Sequence, residues 1–338
     1  MRQYNTVLVT GGAGYVGSVL VPKLLDNGYN VKVLDLYIYG KQTLQSCYDN
    51  PKLEEIKGDI RDIDLLHSSL ESCHAVIHLA CISNDPSAEL NAELTKSINQ
   101  DAFVHLLDSC KSEGIKRFIF ASSSSVYGVS EDPNVTEDHH RIPVSEYNKT
   151  KAYCEDQLVN YYSDDFSIVT IRPATICGYS PRLRLDLTVN ILTNHAFHKG
   201  EITVFGGEQY RPNLHIEDMT DLYLQLLEEP NSKVSSQIFN AGYQNQRVMD
   251  IAQIVKNTIE DLYPERPPVS IKITPSDDIR SYRISTEKIQ QLLNFKPRRN
   301  IQNAVVDLCK AFERNEFPDT FESTIFYNVK RMKEISLK

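Results

Sequence analysis

The stretch Thr10-Gly-Gly-Ala-Gly-Tyr-Val-Gly17, called the glycine loop below, follows the apolar run Thr6-Val-Leu-Val-Thr10 and opens a helical pattern. Gly11, Gly14 and Gly17 are spaced three residues apart. Glycine permits a tight turn and a close backbone approach because it lacks Cβ. Such a turn at a helix N-terminus offers free amides and a partial positive charge, so it suits a phosphate group. Alone, the stretch is also compatible with an ordinary turn.

Short runs rich in valine and isoleucine alternate with amphipathic helical patterns through the first half of the chain. Strands separated by helices are typical of a parallel sheet that is covered by helices on both faces. The predicted strands are Thr6–Thr10, Asn30–Asp35, Glu55–Lys57, Ala75–Leu79, Arg117–Ala121 and Ser167–Arg172, and the predicted helices are Val16–Asp26, Ile63–Leu70, Leu94–Ser112 and Tyr147–Tyr162. The pattern predicts an α/β fold with a Rossmann-type doubly wound parallel sheet.

The second predicted strand ends in Val33-Leu-Asp35. In a dinucleotide site, a carboxylate at this point accepts hydrogen bonds from both hydroxyls of the adenosine ribose and repels a 2′-phosphate. The alternative for Asp35 by itself is a turn or a helix cap. Together with the glycine loop, Asp35 predicts a site for NAD rather than NADP.

Composition excludes several other classes of protein. The 338 residues are 41% hydrophobic and 24% charged, as in ordinary globular proteins, and the net charge of -9 without a dense basic run argues against a nucleic-acid partner. The seven cysteines have no CxxC spacing, which indicates reduced thiols and no metal site. No apolar run approaches the roughly 18 residues of a membrane span. The first predicted strand leaves no room for a signal peptide, so we expect a cytoplasmic protein without a membrane partner.

The pattern of strands and helices changes after about Pro173. Helical stretches at Asp186–Lys199 and Ile216–Glu228 alternate with short strands such as Ile202–Phe205 and Val269–Thr274. We therefore expect an NAD-binding domain over residues 1–173 and a smaller α/β lobe, mainly for substrate, over residues 174–338. A predicted strand near 236–242 is a candidate to return to the first sheet.

A run of hydroxyl groups and a tyrosine–lysine pair follow the fifth predicted strand. Ser122-Ser-Ser-Ser-Val-Tyr-Gly128 comes directly after that strand, and Tyr147-Asn-Lys-Thr-Lys151 opens a predicted helix. Tyr147 and Lys151 are four residues apart, so they share one helix face. An ammonium, aided by an oxidised nicotinamide, would lower the pKa of the tyrosine, which could then take a proton from a substrate hydroxyl. Each motif alone is typical of a polar loop or a solvated helix face, but their order after the glycine loop indicates a catalytic group.

In this order the motifs resemble those of the extended short-chain dehydrogenase/reductases, specifically the nucleotide-sugar epimerase/dehydratase family. The resemblance runs from Val7 to about Pro297. The matching pieces are Thr10–Gly17, Gly58-Asp-Ile60, His78-Leu-Ala80, Asn99, Ser122–Gly128, Tyr147–Lys151, Arg172-Pro173 and Arg211–Asp218.

The resemblance implies a role for each matching residue. Tyr147 would be the acid/base, Lys151 would hold the nicotinamide ribose and polarise Tyr147, and Ser123 would be the catalytic hydroxyl, with Ser122 and Ser124 as alternatives. The implied NAD ligands are Gly11, Gly14, Tyr15, Val16, Gly17, Asp35, Asp59, Ile60, Leu79, Ala80, Tyr147 and Lys151. The implied ligands of a nucleoside-diphosphate sugar are Ser123, Ser124, Asn190, Arg211 and Arg280. Arginine suits phosphate because of its fork of donors, although an ordinary surface ion pair is the alternative for Arg280.

Two departures from the family pattern narrow the reaction. Sugar 4,6-dehydratases of the family usually carry Asp-Glu directly after the catalytic hydroxyl residue, whereas this chain has Ser124 and Ser125, which disfavours dehydration. Thr175 and Cys177 stand where many 4-epimerases carry Asn and Tyr, and Ser180-Pro-Arg-Leu-Arg-Leu-Asp-Leu187 resembles members that modify unusual bacterial surface sugars. A simple UDP-galactose epimerase is therefore not expected. Cys177 is either a second acid/base or a small core residue.

The leading interpretation is an NAD-dependent nucleotide-sugar epimerase that acts at C4 through a 4-keto intermediate. The alternatives are a net 4-dehydrogenase or 4-ketoreductase of a surface-polysaccharide pathway, and a non-catalytic dinucleotide-binding sensor. The resemblance also implies a homodimer that is joined by the helices around Leu94–Ser112 and Tyr147–Tyr162. The apolar candidates for that interface, some of which must face the sheet, are Phe103, Leu106, Leu107, Tyr153 and Leu158.

Overall fold

A seven-stranded parallel sheet forms the centre of the protein, in a computed structural model that describes residues 4–276 and 280–338. The strands are β1 (Thr6–Thr10), β2 (Asn30–Asp35), β3 (Leu53–Lys57), β4 (Ala75–His78), β5 (Arg117–Ala121), β6 (Ser167–Pro173), β7 (Thr175–Cys177), β8 (Glu201–Phe205), β9 (Tyr210–His215), β10 (Gln237–Ala241), β11 (Gln244–Arg247) and β12 (Ser270–Thr274). The helices are α1 (Gly17–Asp26), α2 (Ile63–Leu70), α3 (Asp85–Ala88), α4 (Ala92–Lys96), α5 (Ala102–Ser112), α6 (Glu146–Leu158), α7 (Thr188–Lys199), α8 (Ile216–Glu228), α9 (Asn231–Val234), α10 (Val248–Leu262), α11 (Glu287–Leu293), α12 (Ile301–Glu313) and α13 (Asn328–Glu334).

The order of the strands in the large sheet is β10-β6-β5-β4-β1-β2-β3, and every neighbouring pair is parallel. This order confirms the Rossmann-type doubly wound α/β fold. Strands β2 and β3 are added on one side of β1, and β4 to β6 are added on the other side. This switch in strand order leaves a crevice at the carboxyl ends of β1 and β4. β10 comes from the second half of the chain and pairs with β6 from Gln237 opposite Val169 to Ala241 opposite Pro173.

Both faces of the sheet are buried at its central strands β1, β4, β5 and β6, which are largely apolar runs rather than alternating ones. One face packs against α1 and α8, with Leu20, Leu24 and Leu222 fully buried among strand valines. The other face packs against α2, α5 and α6 around Phe103 and Phe118. The helices thus hold the strand ends, and the loops that follow them, in fixed positions.

The smaller lobe contains two short sheets, β11-β9-β7 and β12-β8. Its core is formed by α7, α10 and α12, which pack on one another through apolar faces. α10 and α12 were not among the elements predicted from sequence. β7 follows β6 directly but pairs with β9 in the smaller lobe. The chain therefore passes from the large sheet to the smaller lobe at this point, beside the crevice.

Two helices differ from their predicted form. The predicted helix Leu94–Ser112 consists of α4, a π-helical turn at Ser97–Asp101 and α5. The predicted helix Tyr147–Tyr162 ends at Leu158, because the amides of Asn160 and Tyr161 bond back to carbonyls three residues earlier and tighten the chain into a turn.

The predicted dimer interface is wrong in four of its five side chains. Phe103, Leu106, Leu107 and Leu158 are fully buried within the chain, in the core between the helices and the sheet. They face inward because the sheet needs an apolar cover on this side. Tyr153 alone of the five is exposed, at 37%.

No helix among the described residues is both long enough and apolar enough to span a membrane.

Candidate active site

A cleft of about 530 Å³ lies at the carboxyl ends of the central strands and is closed on its other side by the smaller lobe. It brings together nearly all of the side chains predicted from sequence. The predicted residues that line it are Gly11, Gly14, Tyr15, Val16, Gly17, Asp35, Asp59, Ile60, Leu79, Ala80, Ser122, Ser123, Ser124, Tyr147, Lys151, Arg211 and Arg280. Asn190 is the predicted ligand that does not line it.

The glycine loop passes so close to its neighbours that side chains are excluded. Gly11 has a φ of +73°, and a Cβ on it would lie 2.7 Å from the amide nitrogen of Ala80. A Cβ on Gly17 would lie 2.5 Å from both Cα and the carbonyl oxygen of Gly12. The loop therefore leaves the N-terminus of α1 uncovered towards the cleft, as a pyrophosphate requires.

Asp35 lies at the end of β2, beside this loop. Its Oδ2 accepts a hydrogen bond from the Ala13 amide at 3.0 Å, and its Oδ1 accepts one from the Tyr37 amide at 2.7 Å. Burial raises the pKa of Asp35, and the two amide bonds oppose that rise. The carboxylate braces the loop while it faces the cleft, where an adenosine ribose fits.

The adjoining wall suits an adenine base. Ile60 is buried, and Asp59 is held by Arg61 through bonds of 2.6 to 3.1 Å. Burial opposes ionisation of Asp59, but the Arg61 bonds outweigh it and hold its pKa below the ordinary value. With the glycine loop and Asp35, these residues fit NAD.

The predicted catalytic side chains meet at the opposite end of the cleft. Tyr147 and Lys151 lie on one face of α6, with the Lys151 Nζ 5.8 Å from the centre of the Tyr147 ring. Lys151 Nζ also donates to the Ala121 carbonyl at 2.7 Å, which fixes the ammonium at the end of β5. Ser123 lines the same end of the cleft.

The pKa of Tyr147 is shifted in the direction opposite to the prediction from the Lys151 ammonium. Burial raises it and the nearby Cys81 adds to the rise, while the charge of Arg184 and the Ser123 hydrogen bond oppose it. Burial dominates because a phenolate loses more hydration than these neighbours replace. The residues of the chain alone therefore keep the proton on the phenol at neutral pH.

The four consecutive serines point in different directions. Ser122 Oγ donates to Glu155 Oε1 at 2.5 Å, away from Tyr147, so it is not equivalent to Ser123. Ser124 Oγ lies 3.4 Å from the Tyr282 hydroxyl, on the substrate side of the cleft. Ser125 Oγ donates to Asn148 at 2.6 Å and lies 2.7 Å from Ser123 Oγ.

The three predicted substrate ligands of the second lobe differ in their positions. Arg211 and Arg280 line the cleft, and Arg280 forms an ion pair with Asp85 there rather than on the open surface. Asn190 is fully buried and does not line the cleft, which argues against its predicted contact with the substrate. Its side chain accepts from the Gly178 amide at 3.0 Å and donates to the Tyr15 hydroxyl at 3.1 Å, which braces the cleft from behind.

Cys177 does not reach the cleft. It is 1% exposed, and burial raises the pKa of its thiol to about 12. The hypothesis that Cys177 is a second acid/base is wrong, and the residue belongs to the core of the smaller lobe. Thr175 lines the cleft.

Several cleft residues were missed by sequence reasoning. Arg182, Arg184 and Asp186 line the cleft from the segment after β7, and Asn328 lines it from the start of α13. Residues 180–187 were singled out only by resemblance, and the alternation of charged and apolar residues in Arg182–Asp186 is a signal that could have identified these side chains. No such signal exists for Asn328, which lies far away in sequence.

Within residues 4–276 and 280–338, no cluster of three histidine, cysteine or acidic side chains could hold a metal ion.

Known proteins resemble the chain over most of its length. The model of the family described as "NAD dependent epimerase/dehydratase family" matches residues 7–242. UDP-glucuronic acid decarboxylase 4 of Arabidopsis thaliana is 28% identical, and the match covers 94% of this chain and 71% of that protein. UDP-glucuronic acid 4-epimerase of Bacillus cereus, solved with UDP-glucuronic acid and NAD, has a TM-score of 0.80 at 25% identity, covering 92% of this chain and 99% of that one. UDP-glucose 4-epimerase of Thermotoga maritima, solved with UDP-glucose, has the same TM-score, identity and coverage.

Proposed function

Because the chain belongs to the NAD-dependent epimerase/dehydratase family, we propose that it is a nucleotide-sugar 4-epimerase, which inverts one carbinol carbon of a sugar attached to a nucleoside diphosphate. The observation that carries the proposal is the convergence of Ser123, Tyr147 and Lys151 at one end of the cleft that also contains Arg211 and Arg280. This arrangement can hold one sugar hydroxyl and move its proton.

Tyr147 and Ser123 act on that hydroxyl together. Both hydroxyls line the same end of the cleft, so a substrate oxygen placed between them would be held from two sides. Tyr147 in its phenolate form takes the proton when the carbinol is oxidised, and the resulting phenol returns it when the ketone is reduced. NAD, when bound, supplies the chemistry of hydride acceptance and return at the same carbon.

Electrostatics make the proton movement reversible. Burial favours the neutral phenol, whereas the charge of Arg184 and the Ser123 bond favour the phenolate. Lys151 is fixed by the Ala121 carbonyl and contributes a further positive charge close to the ring. An oxidised nicotinamide would add its positive charge to these, so that with NAD bound the side chain could alternate between a phenolate that accepts and a phenol that donates.

The serine run supports epimerisation over dehydration. Elimination of water across C5 and C6 needs an acid and a base next to the catalytic hydroxyl, and this chain has Ser124 and Ser125 there. The contacts of these two hydroxyls in the described part of the chain are to neutral groups: Ser124 lies near Tyr282, and Ser125 donates to Asn148. These neutral side chains suit recognition of the sugar.

Enclosure of the cofactor end of the cleft favours an epimerase over a net oxidoreductase. Asn328, Val329, Met332 and Leu337, from α13 and the residues after it, line the cleft together with Asp35 and Asp59. Arg331 Nε donates to the Ile38 carbonyl at 2.5 Å, which attaches α13 to the segment after β2. A covered cofactor suits an internal redox cycle, in which NAD is regenerated without leaving.

The test is incubation of the purified protein with a panel of nucleoside-diphosphate sugars without added NAD, followed by NMR of the products. We expect one epimer pair to reach equilibrium without a persistent rise of NADH absorbance. Tyr147→Phe should lower kcat by at least about a hundredfold, since proton transfer contributes about 10² to 10⁴. Ser123→Ala should also lower kcat, whereas Ser122→Ala should retain most activity because its hydroxyl faces Glu155.

Two outcomes would contradict the proposal. Accumulation of a keto sugar with lasting NADH would identify a net 4-dehydrogenase, and consumption of a keto sugar with added NADH would identify a 4-ketoreductase. Full turnover in Tyr147→Phe would refute the assignment of the acid/base.

A further inference from the structure

The segment Gly178–Asp186 runs from β7 to α7 and is attached to the glycine loop and the first turn of α1. Ser180 is fully buried, and its hydroxyl donates to the Tyr15 carbonyl at 2.7 Å and lies 2.8 Å from the Ser18 hydroxyl. The Tyr15 hydroxyl in turn donates to the Gly178 carbonyl at 2.7 Å. These contacts place a segment of the smaller lobe directly against the helix N-terminus that fits a pyrophosphate.

Two arginines of this segment extend into the cleft. Arg182 is 3% exposed, and its guanidinium stacks on the ring of Tyr39 at 3.6 Å from the ring centre. Its Nη2 donates to Asn328, but its Nε is buried without a hydrogen-bond partner among the described residues. Stacking fixes the plane of the guanidinium, so the donors that remain have a defined direction.

The charges of the segment do not balance. Arg184 pairs with Asp186 at 2.9 Å, and no carboxylate of the described residues lies within ion-pair distance of Arg182. Asp186 also accepts from the Asn84 amide at 2.8 Å. Two largely buried cations thus share one carboxylate, an arrangement that is costly unless a ligand supplies negative charge.

The effects on neighbouring groups indicate which end of the cleft the arginines face. Burial raises the pKa values of Asp35 and Tyr15; the charge of Arg182 opposes the rise in both, and that of Arg184 opposes it in Tyr15. The charge of Arg184 also opposes the rise in Tyr147, so Arg184 lies between the glycine loop and the catalytic end of the cleft. Asp35 and Tyr15 border the glycine loop. Arg280, in contrast, pairs with Asp85 and lies near Tyr282 on the substrate side, and Arg211 donates to the Arg280 carbonyl.

We infer that Arg182 and Arg184 form a second half of the cofactor site, in which their guanidiniums bind the pyrophosphate of NAD from the side opposite the glycine loop. An arginine fork donates two parallel bonds to a phosphate, and the two negative charges of a pyrophosphate would neutralise the surplus cation. Asn328 is a positioning residue in this arrangement, because it links α13 to Arg182 and donates to Ser83 Oγ at 3.0 Å. The inference depends on NAD binding and not on the reaction at C4.

The experiment measures binding rather than turnover. Arg182→Gln and Arg184→Gln are compared with Arg266→Gln, a control arginine of the smaller lobe that stacks on Tyr263 at 4.0 Å outside the cleft. Equilibrium dialysis gives the Kd of NAD and of ADP-ribose, which has the pyrophosphate but no nicotinamide. The Kd of UDP is measured on the same proteins saturated with NAD.

We expect each cleft variant to bind NAD and ADP-ribose about 10- to 100-fold more weakly, as the loss of hydrogen bonds to a charged group predicts. The Kd of UDP and all values for Arg266→Gln should stay within about threefold of wild type, a change of less than 1 kcal/mol. Arg182→Lys, which keeps the charge but loses the fork, should fall between wild type and Arg182→Gln and serves if the glutamine variant does not fold.

Unchanged NAD affinity in folded variants would overturn the inference. Weaker UDP binding with unchanged NAD binding would assign the arginines to the diphosphate of the substrate and would overturn it equally. If wild-type protein saturated with NAD epimerises no nucleotide sugar while the variants bind NAD more weakly, the proposed reaction is refuted and this site is supported.

Discussion

Glu155→Gln is expected to destabilise the protein strongly, because Glu155 is the centre of a buried ionic network behind the serine run. Its Oε1 accepts from Ser122 Oγ at 2.5 Å and from Arg172 Nε at 3.0 Å. Its Oε2 accepts from Arg172 Nη2 at 2.7 Å and from Arg141 Nη1 at 3.2 Å. The network joins α6 to β5 and β6, which are the elements that carry the catalytic side chains.

The magnitude follows from the burial of the partner. The side chains of Glu155 and Arg172 are 2% and 4% exposed, so removal of the carboxylate charge leaves a buried guanidinium without its counter-ion. Breaking such a pair costs about 3 to 5 kcal/mol. Arg172 keeps bonds to the Tyr127 hydroxyl and the Glu137 carbonyl at 2.7 and 2.9 Å, so we expect the lower end, about 3 kcal/mol.

The assay is urea unfolding followed by two probes, circular dichroism and tyrosine fluorescence, whose coincidence tests for a single transition. Glu146→Gln is the matched control on the same helix, because Glu146 is exposed and pairs only with the exposed Lys149. We expect the control to lose less than about 1 kcal/mol. A loss below about 1 kcal/mol in Glu155→Gln at unchanged m value would refute the reasoning, since the network would then add nothing beyond a surface pair.

Two further predictions concern the glycine loop and the buried histidine of β4. Gly17→Ala should weaken NAD binding by at least about tenfold in equilibrium dialysis, because overpacking costs about 1 to 3 kcal/mol and its Cβ would press on the backbone of Gly12. Gly114→Ala, whose Cβ meets nothing within 4 Å, should leave that affinity unchanged, and equal effects in the two would contradict the packing argument. Burial, with a smaller contribution from the charge of Lys151, lowers the pKa of His78 to about 3. Below the unfolded-state pKa of about 6.5, the unfolded chain therefore binds one more proton than the folded chain. The free energy of unfolding consequently decreases as the pH is lowered. As the pH is lowered from about 6 to 4, the free energy of unfolding of wild type relative to His78→Gln should decrease by about 1.4 kcal/mol per pH unit. The free energies are obtained from urea unfolding at each pH. If the two proteins show the same dependence on pH, His78 is not buried in its neutral form.

Much of the fold could be predicted because its signals are local. The bounds of β1, β2, β5, α2 and α8 agree with the sequence to the residue, since apolar period and turn residues act over a few positions. α10 and α12, which were not predicted, show that the local sequence pattern was less informative in the second half of the chain. α5 shows another limit: its apolar residues were visible, but whether they faced the sheet or a partner depended on packing.

The sequence by itself determined the glycine loop, the acidic end of β2 and the order of Ser123, Tyr147 and Lys151. Each depends on the chemistry of a residue and its place after a strand or on a helix face, so the sequence was sufficient to predict NAD chemistry at a carbinol.

Only the tertiary structure decided which side chains share the cleft. It directed Ser122 to Glu155, buried Asn190 behind the wall and brought Arg182 to the glycine loop, through contacts such as Ser18–Ser180 that join residues 162 positions apart. It also decided the direction of the Tyr147 pKa, because the cost of burying a phenolate depends on the water that the whole fold excludes. Contacts of this kind have no local period or spacing, so they cannot be predicted from one chain before it is folded.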